Sequence, residues 1–493
     1  MKAIKFLDSE QREQVGFSFI LEKLDLLTPY GMEEKKHIKP FGRTKKSELI
    51  AEFENIDMVL SSFSENKTVF REIERCFYKL KDIRASIKRC DNLITLDDVE
   101  LFEIKSFGIL IGDFLESFKK LDLKIDCLKF HSLEGLVSLL DPEEKRIPTF
   151  YIYDNYSKRL KDIRIEKRSL EEKIMVENDE EKVKELKSLR LKKVIAEEEE
   201  ELSIRKHLTE EINKYVLEID ENIKAIAKLD LLLAKAKLAK TYGGIKPVIS
   251  EKMELHFRGL FNPEIKEILG QRGKEFTPIS IDLKDGTTII TGANMGGKSV
   301  ALKSIVLNVM LAQCGFYIFS EEAVVPVVDF IYFISDDMQS ISKGLSTFGA
   351  EIIKLKEVIL SAKAQKGFIA LDEFARGTNP KEGYYLVKSL AKYLSDFDSI
   401  SLISTHYDGV VEGEMVHYQV AGLKNVDFNS LKYKIDLNRK FSVEIIQEHM
   451  DYKLERVSKE NKVPKDALNI CMLLGLEEEL VELAKSYYKE DKS

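Results

Sequence analysis

The sequence contains no tryptophan and only 5 cysteines in 493 residues. The cysteines are scattered, odd in number and never in a Cys-x-x-Cys pair: Cys76, Cys90, Cys127, Cys314 and Cys471. This spacing argues against a disulfide framework and a structural zinc site, so reduced thiols in a cytoplasmic protein are expected. The missing tryptophan is read as compositional bias without functional content.

Long apolar runs are missing as well. No stretch approaches transmembrane length, and residues 1–10 become acidic before any apolar segment long enough for a signal peptide. We therefore expect no membrane partner. The 77 Lys+Arg against 85 Asp+Glu give a net charge of −8, which argues against a protein that coats polyanions overall while permitting local basic patches.

Glycine and proline are both absent between Pro148 and Gly243, which predicts long uninterrupted helix. A turn is expected at 177–180, which would fold this segment into an antiparallel pair. Steps of four and three residues, typical of a coiled-coil seam, connect Leu208, Ile212, Tyr215, Ile219, Asn222, Ile226, Leu229 and Leu233.

A chain of this length exceeds what one core usually serves. We predict a helical core domain at 1–150, the long helical or coiled-coil arm at 151–242, an α/β domain with a mainly parallel sheet at 243–440, and a helical tail at 441–493. The predicted fold class is thus α/β with a large helical portion.

The segment 291–299, Thr-Gly-Ala-Asn-Met-Gly-Gly-Lys-Ser, follows a β-branched run at 287–290 and opens a helical pattern. Glycines let backbone N–H groups converge on phosphate oxygens, and the helix N-terminus adds partial positive charge. Lys298 would reach the β- and γ-phosphates and Ser299 would ligate Mg²⁺. The alternative is an ordinary glycine-rich turn, which this strand-to-helix context disfavours.

Polar residues follow two further apolar runs, 368–371 and 400–404. Parallel strands collect ligands at their carboxyl ends. Asp372 would hold the Mg²⁺ shell, through water, and Glu373 would act as general base for the attacking water. His406 is placed to sense the γ-phosphate. Taken alone, the acids are more often a strand end without a role and the histidine more often structural; the upstream phosphate loop reverses that preference for the acids.

The segment 344–351, Gly-Leu-Ser-Thr-Phe-Gly-Ala-Glu, leads into another helical pattern. By itself it is typical of a capped helix with Ser346 or Thr347 as the cap. A helix N-terminus with free N–H groups and a hydroxyl also suits a γ-phosphate. If it faces away from its own nucleotide, it could complete the site of a second subunit.

These four motifs, in their order along the chain (291–299, 344–351, 372–379 and 404–406), resemble the ATPase domain of the MutS family, a branch of the ABC-type P-loop ATPases. The phosphate loop differs from the family's Thr-Gly-Pro-Asn-Met-Gly-Gly-Lys-Ser-Thr only at Ala293 and Val300. The segments 346–348 and 404–406 match the family's Ser-Thr-Phe element and Thr-Thr-His switch, and 372–379 matches its Walker B loop with Ala375 in place of a glycine. The likeness covers roughly residues 220–490, with a looser helical likeness from about residue 20.

The resemblance implies an ATP hydrolase that uses ATP and Mg²⁺ and pairs through its ATPase domains into a homodimer. Glu373, His406 and Lys298 would be catalytic, and Ser299 and Asp372 would hold the metal. The implied nucleotide-binding residues are Gly292, Asn294, Met295, Gly296, Gly297, Lys298, Ser299, Val300 and, from the second subunit, Ser346.

The family's mismatch-recognition wedge has no counterpart, because 16–19 (Gly-Phe-Ser-Phe) lacks its acidic partner. The tail at 451–454, 463–470 and 474–476 and the opening at 26–31 are similar to short MutS-like proteins associated with reactivating a cobalamin-dependent lysine 5,6-aminomutase. We therefore predict an ATPase that clamps and remodels such an enzyme, with an accessory small subunit left open.

The alternative is a DNA-binding MutS-type ATPase acting in repair or recombination. Basic residues of the arm could serve it, although a solvated helix face is the more favoured interpretation of them: Arg164, Lys167, Arg168, Lys187, Arg190, Lys192 and Lys193. A structural dimer with an inactive ATPase is a weaker third interpretation, because Lys298, Asp372 and Glu373 are all intact.

Overall fold

The structure, a computed structural model, describes residues 6–146, 150–292, 297–335, 347–423, 449–457 and 466–490, with isolated residues between 426 and 445. It is a mixed α/β protein, as predicted. The helices are α1 Ser9–Gln14, α2 Phe17–Glu22, α3 Pro29–Lys36, α4 Lys46–Glu65, α5 Lys67–Lys79, α6 Arg84–Asp91, α7 Asp98–Lys119, α8 Glu134–Leu140, α9 Lys158–Val176, α10 Glu180–Asn213, α11 Val216–Tyr242, α12 Pro263–Gln271, α13 Lys298–Gln313, α14 Thr347–Ala362, α15 Pro380–Leu394, α16 Asp466–Leu473 and α17 Glu478–Glu490. The strands are β1 Val248–Ser250, β2 Glu254–Leu260, β3 Ile279–Lys284, β4 Gly286–Thr291, β5 Glu322–Pro326, β6 Phe330–Ile334, β7 Gly367–Asp372, β8 Ile400–Ser404, β9 Val416–Gly422 and β10 Asp451–Arg456.

The chain divides into two compact units that are not contiguous in sequence. Unit 1 comprises Met1–Leu24, Lys39–Asp57 and Lys235–Ser493, and unit 2 comprises Asp25–Ile38 and Met58–Ala234. Short N-terminal segments therefore pack with the α/β part of the chain, as in the 2.7 Å hydrogen bond from Phe41 N to Gln313 O. The four-segment division stays a prediction, and the boundaries of these units fall elsewhere.

Unit 1 contains two sheets. The larger has the strand order β10-β9-β4-β8-β7-β6, in which β10 pairs antiparallel and all other neighbours pair parallel. The smaller has the order β1-β5-β2-β3. Every residue of β4, β7 and β8 is buried, so both faces of these strands are covered. This burial explains why their side chains are mostly apolar. The three apolar runs singled out in the sequence form these three adjacent strands.

Unit 2 is helical in the part of the chain that the structure describes. α9 ends at Val176 and α10 begins at Glu180 behind the N-cap Asp179, so the predicted turn falls between them. Ion pairs connect the two helices, among them one of 2.7 Å between Arg190 and Glu171.

The predicted coiled-coil seam is interrupted, because α10 ends at Asn213 and α11 begins only at Val216. Asn222, its one polar member, is fully buried. Its Oδ1 accepts a hydrogen bond from His131 N at 2.8 Å, and its Nδ2 donates to His131 O at 3.0 Å. At this position the seam therefore binds the backbone of the loop that precedes α8. The coiled coil stays a prediction. None of the described helices is long and apolar enough to cross a membrane.

A buried ion pair in unit 1 lies at the C-terminal end of α13. Lys235 Nζ is 2.7 Å from Glu52 Oε1, and both side chains are less than 5% exposed. The same ammonium donates to the carbonyl oxygens of Cys314 and Gly315, each at 3.1 Å. A cation suits this place because the last carbonyls of a helix carry partial negative charge.

We expect Lys235→Met to lower the free energy of unfolding by about 3–5 kcal/mol, since it leaves the Glu52 carboxylate buried without its cation. Urea unfolding at pH 7 measures the loss. Lys246→Met is the matched control, because Lys246 pairs with Asp57 while 38% exposed and should cost less than about 1 kcal/mol. Equal losses in the two variants would contradict the importance of the buried pair.

Candidate functional site

The two ends of the predicted phosphate loop lie between β4 and α13. β4 ends at Thr291, and α13 begins at Lys298 behind the N-cap Gly297. Gly297 has φ +82°, and a Cβ there would lie 2.9 Å from Cδ1 of Tyr452 on β10. The backbone of this turn therefore requires glycine both for its conformation and for space. The predicted ligands Asn294, Met295 and Gly296 lie outside the described residues.

Lys298 is almost completely buried, with a side chain 3% exposed. Its Nζ donates to Gly292 O at 2.8 Å and lies 3.3 Å from Glu373 Oε1. The structure thus brings together the predicted phosphate-binding lysine and the predicted general base. Val300 follows in the first turn of α13 and is partly exposed.

Glu373 directly follows β7 and adopts a left-handed backbone with φ +48°. Its carboxylate also receives Arg376 Nη1 at 2.8 Å, and its N–H donates to Ser404 Oγ at 3.2 Å. A non-glycine residue in this conformation is strained, and such strain persists only where surrounding contacts hold it. The contacts with Lys298, Arg376 and Ser404 supply that support.

Asp372, the last residue of β7, is buried and accepts a 2.5 Å hydrogen bond from Ser404 Oγ. Burial raises the pKa of Asp372 above its usual range, and hydrogen bonds from Ser404 and Ser299 oppose that rise. Ser299, at the start of α13, is thus one of the groups that favour the charged form of this carboxylate. Hydroxyl and carboxylate oxygens are ligands that Mg²⁺ prefers, and a divalent cation would offset the burial cost, so these residues fit the predicted metal.

His406 lies two residues beyond β8, exposed, with its ring centroid 4.2 Å from that of Tyr407. Partial desolvation lowers the pKa of His406, and the cations of Lys298 and Arg376 lower it further while Glu373 opposes them. The imidazole is therefore neutral at pH 7 and lies within electrostatic reach of the same cluster. The predicted signature residue Ser346 lies outside the described residues, and α14 begins one residue after it.

Sequence reasoning missed several contacts at this site. Arg376 and Glu351 belong to the motif segments, yet neither received a role. His417 Nε2 shares a 2.8 Å hydrogen bond with Thr291 Oγ1, immediately before the loop. Tyr452, which lies far along the chain on β10, occupies the space that a side chain at Gly297 would need. Local sequence carries no signal for these last two, because only the pairing of β9 and β10 beside β4 creates them.

Comparison with known proteins identifies one family in this region. Residues 288–474 match the family model of MutS domain V. The chain is 33% identical over 220 residues to endonuclease MutS2 of Halothermothrix orenii, covering 44% of this chain and 26% of that protein. It is 26% identical over 465 residues to the DNA mismatch repair protein MutS of Persephonella marina, covering 88% of this chain and 49% of that protein.

A third relative, endonuclease MutS2 of Carboxydothermus hydrogenoformans, is 29% identical over 308 residues, covering 62% of this chain and 36% of that protein. The chain thus spans between about a quarter and a half of the length of these relatives. Together the matches show that this chain is similar to MutS-family proteins, most specifically to MutS domain V at residues 288–474. Their names refer to DNA mismatch repair and to an endonuclease, and they lend nothing to the specific resemblance to an aminomutase-reactivating protein.

We expect Gly297→Ala to lower the free energy of unfolding by about 1–3 kcal/mol, because a Cβ is strained at this positive φ and meets Tyr452. Thermal and urea unfolding measure it. Adding Tyr452→Ala should relieve the contact and leave the conformational part of the loss. Gly270→Ala on α12 is the control: a Cβ there meets nothing within 4 Å, so it should stabilise by up to about 1 kcal/mol. A neutral Gly297→Ala would contradict this account.

Proposed function

We propose that this protein binds and hydrolyses Mg²⁺-ATP at the carboxyl edge of its six-stranded sheet. One observation carries the proposal: Lys298 contacts Glu373 while Asp372 accepts the hydroxyl of Ser404, and Ser299 favours the charged form of Asp372. Ammonium, hydroxyl and paired carboxylates at one sheet edge are the groups that phosphoryl transfer to water requires. The match to MutS domain V supports ATP hydrolysis as the reaction class.

In this proposal each residue has one role. Lys298 binds the β- and γ-phosphates, Ser299 and Asp372 hold Mg²⁺, Glu373 accepts the proton of the attacking water, and His406 contacts the γ-phosphate. Mg²⁺ neutralises charge on the phosphate oxygens when bound. The remaining proposed nucleotide-binding residues are Gly292, Asn294, Met295, Gly296, Gly297 and Val300.

The contact between Lys298 and Glu373 suggests how binding prepares hydrolysis. One buried ammonium cannot fully serve both a carboxylate and a triphosphate. When the phosphates take Lys298, Glu373 keeps Arg376 as its hydrogen-bond donor and gains freedom to orient a water. Nucleotide binding would thus release Glu373 from its ion pair with Lys298 and leave its ion pair with Arg376.

We extend the proposal to a two-fold homodimer, in which Ser346 of a second copy completes the nucleotide site. The beginning of α14 follows this residue directly. Three apolar side chains on α14, Ile352, Ile353 and Leu360, are between 38% and 53% exposed, and the surface they form suits cover by a second copy.

We propose duplex DNA as the client on which this ATPase acts. The names of the relatives, DNA mismatch repair protein MutS and endonuclease MutS2, support it over a cobalamin enzyme. The aminomutase client and the accessory subunit stay predictions that depend on the resemblance at 26–31, 451–454, 463–470 and 474–476.

The arm limits how such DNA could be bound. Four of its seven singled-out basic residues form ion pairs with acids of the same region: Arg164, Lys167, Arg190 and Lys193. Arg168, Lys187 and Lys192 are exposed and have no ion pair with the residues that the structure describes. Lys187 and Lys192 lie about 140° apart around α10, so they do not form a stripe. Of these seven residues, only about three are therefore available for phosphate contacts, and those three alone correspond to a salt slope near −3.

We expect Lys298→Ala to weaken nucleotide binding at least about tenfold, because it removes the phosphate-binding cation. We expect Glu373→Gln to keep binding and to lower turnover by about 10²-fold or more, because the amide cannot accept the proton of water. Equilibrium binding of a fluorescent ATP analogue and steady-state phosphate release separate the two effects. Lys381→Ala, an exposed lysine at the start of α15, is the control. Undiminished turnover in Glu373→Gln would remove this residue as the base.

The choice of client has its own test. ATP turnover is measured side by side with duplex DNA and with an inactivated cobalamin aminomutase. We expect DNA to stimulate turnover, with stimulation falling as salt rises, and the triple variant Arg168→Ala, Lys187→Ala, Lys192→Ala to weaken that stimulation by several-fold. Stimulation by the aminomutase alone would overturn DNA as the client and leave the ATPase assignment intact.

A further inference from the structure

Glu351 is a buried carboxylate in the first turns of α14, with 3% of the residue exposed. Its Oε2 accepts a hydrogen bond from the backbone N–H of Ala375 at 3.1 Å. Burial of a carboxylate is costly unless a specific partner receives it. One partner of Glu351, the N–H of Ala375, belongs to the loop that carries the proposed general base.

That loop has an unusual backbone. Glu373 and Ala375 both lie in the left-handed region, with φ +48° and +63°. Phe374 between them is 2% exposed and belongs to the same core cluster as Leu355 and Val358 of α14. The loop is thus pinned on α14 at two points, by an apolar side chain and by the carboxylate of Glu351.

At Ala375 the second pin has no substitute among the contacts described for this loop. Lys298 and Arg376 hold the Glu373 carboxylate and Ser404 holds the Glu373 N–H, whereas Glu351 holds the main chain two residues further on. Without it, the N–H of Ala375 would be buried with no acceptor, and the strained turn would relax toward more favourable dihedral angles. The Glu373 carboxylate would move with it.

We propose that Glu351 is a positioning residue that fixes the Glu373 loop to α14 and so couples the start of that helix to the hydrolytic site. The proposal rests on the proposed ATPase function. α14 begins beside Ser346, the residue proposed to meet the nucleotide of a second copy. Movement of this helix on pairing therefore reaches Glu373 through the bond between Glu351 and Ala375.

The test compares Glu351→Ala, Glu351→Gln and Glu357→Ala in the full chain. The glutamine keeps an oxygen that accepts from Ala375, and Glu357 is an exposed glutamate on the same helix. We expect Glu351→Ala to lower kcat between about 10-fold and 100-fold while KM and the Kd for a fluorescent ATP analogue change less than about twofold. Glu351→Gln should recover most of kcat, and Glu357→Ala should match the parent protein.

Two further readouts separate positioning from a general loss of structure. ATP-dependent dimerisation, followed by sedimentation, should be the same in Glu351→Ala as in the parent. Amide hydrogen exchange in 373–377 should accelerate at least about tenfold in Glu351→Ala and little in Glu351→Gln, because only the former loses the acceptor.

Unchanged kcat and exchange in Glu351→Ala would overturn the proposal. Equal loss of kcat in the alanine and glutamine variants, or loss of nucleotide binding and dimerisation together with turnover, would also overturn it. A parent protein without ATP turnover would refute the proposed function instead, and the exchange measurement would still decide whether Glu351 holds the loop. If Glu351→Ala does not fold, the comparison of the parent with Glu351→Gln decides: a glutamine variant that also loses kcat by tenfold contradicts the acceptor role.

Discussion

The parallel pairing of β4, β8 and β7 is the constraint on which the site depends. Ser404, the last residue of β8, is in register with Ile290 on one side and with Asp372 on the other. The residues that follow each strand therefore leave the sheet at one level. Lys298, Glu373 and His406 are far apart in sequence, and this register alone brings them to one edge.

The same register explains which parts of the site could be predicted from sequence. Short buried strands can be predicted from apolar runs in the sequence, and the polar residues that follow these runs can be predicted as ligands. The glycine at 297 was legible as well, because a strand-to-helix turn around phosphate needs it. The contact of Tyr452 with that glycine was not, since it depends on β10 packing beside β9, and the long intervening segment carries no local signal for this pairing. The division into units was hidden for a similar reason, because the ion pair of Lys235 with Glu52 at the end of α13 joins residues that are far apart in sequence.

The arm shows a different limit of sequence reasoning. A heptad-like pattern predicts which side of a helix is buried, but it does not predict which part of the protein covers that side. Asn222 fits the seam by spacing, and its amide instead binds the backbone at His131. Basic residues on the same arm mislead in the same way, because their charge is visible in the sequence and their acidic partners are not. Arg164, for example, forms ion pairs with three acids: Asp154, Glu197 and Glu201.

Charged side chains at both ends of α13 connect the phosphate loop to the rest of unit 1. Its first residue, Lys298, contacts Glu373, and the carbonyls just beyond its last turn are bound by Lys235. Between these ends nearly every residue is buried. A helix so enclosed moves as a rigid body or not at all, since interiors are too densely packed to deform gradually. A phosphate that draws Lys298 away from Glu373 therefore leaves α13 in place. The group that gains freedom is the Glu373 carboxylate, because Glu351 and Phe374 hold its backbone on α14.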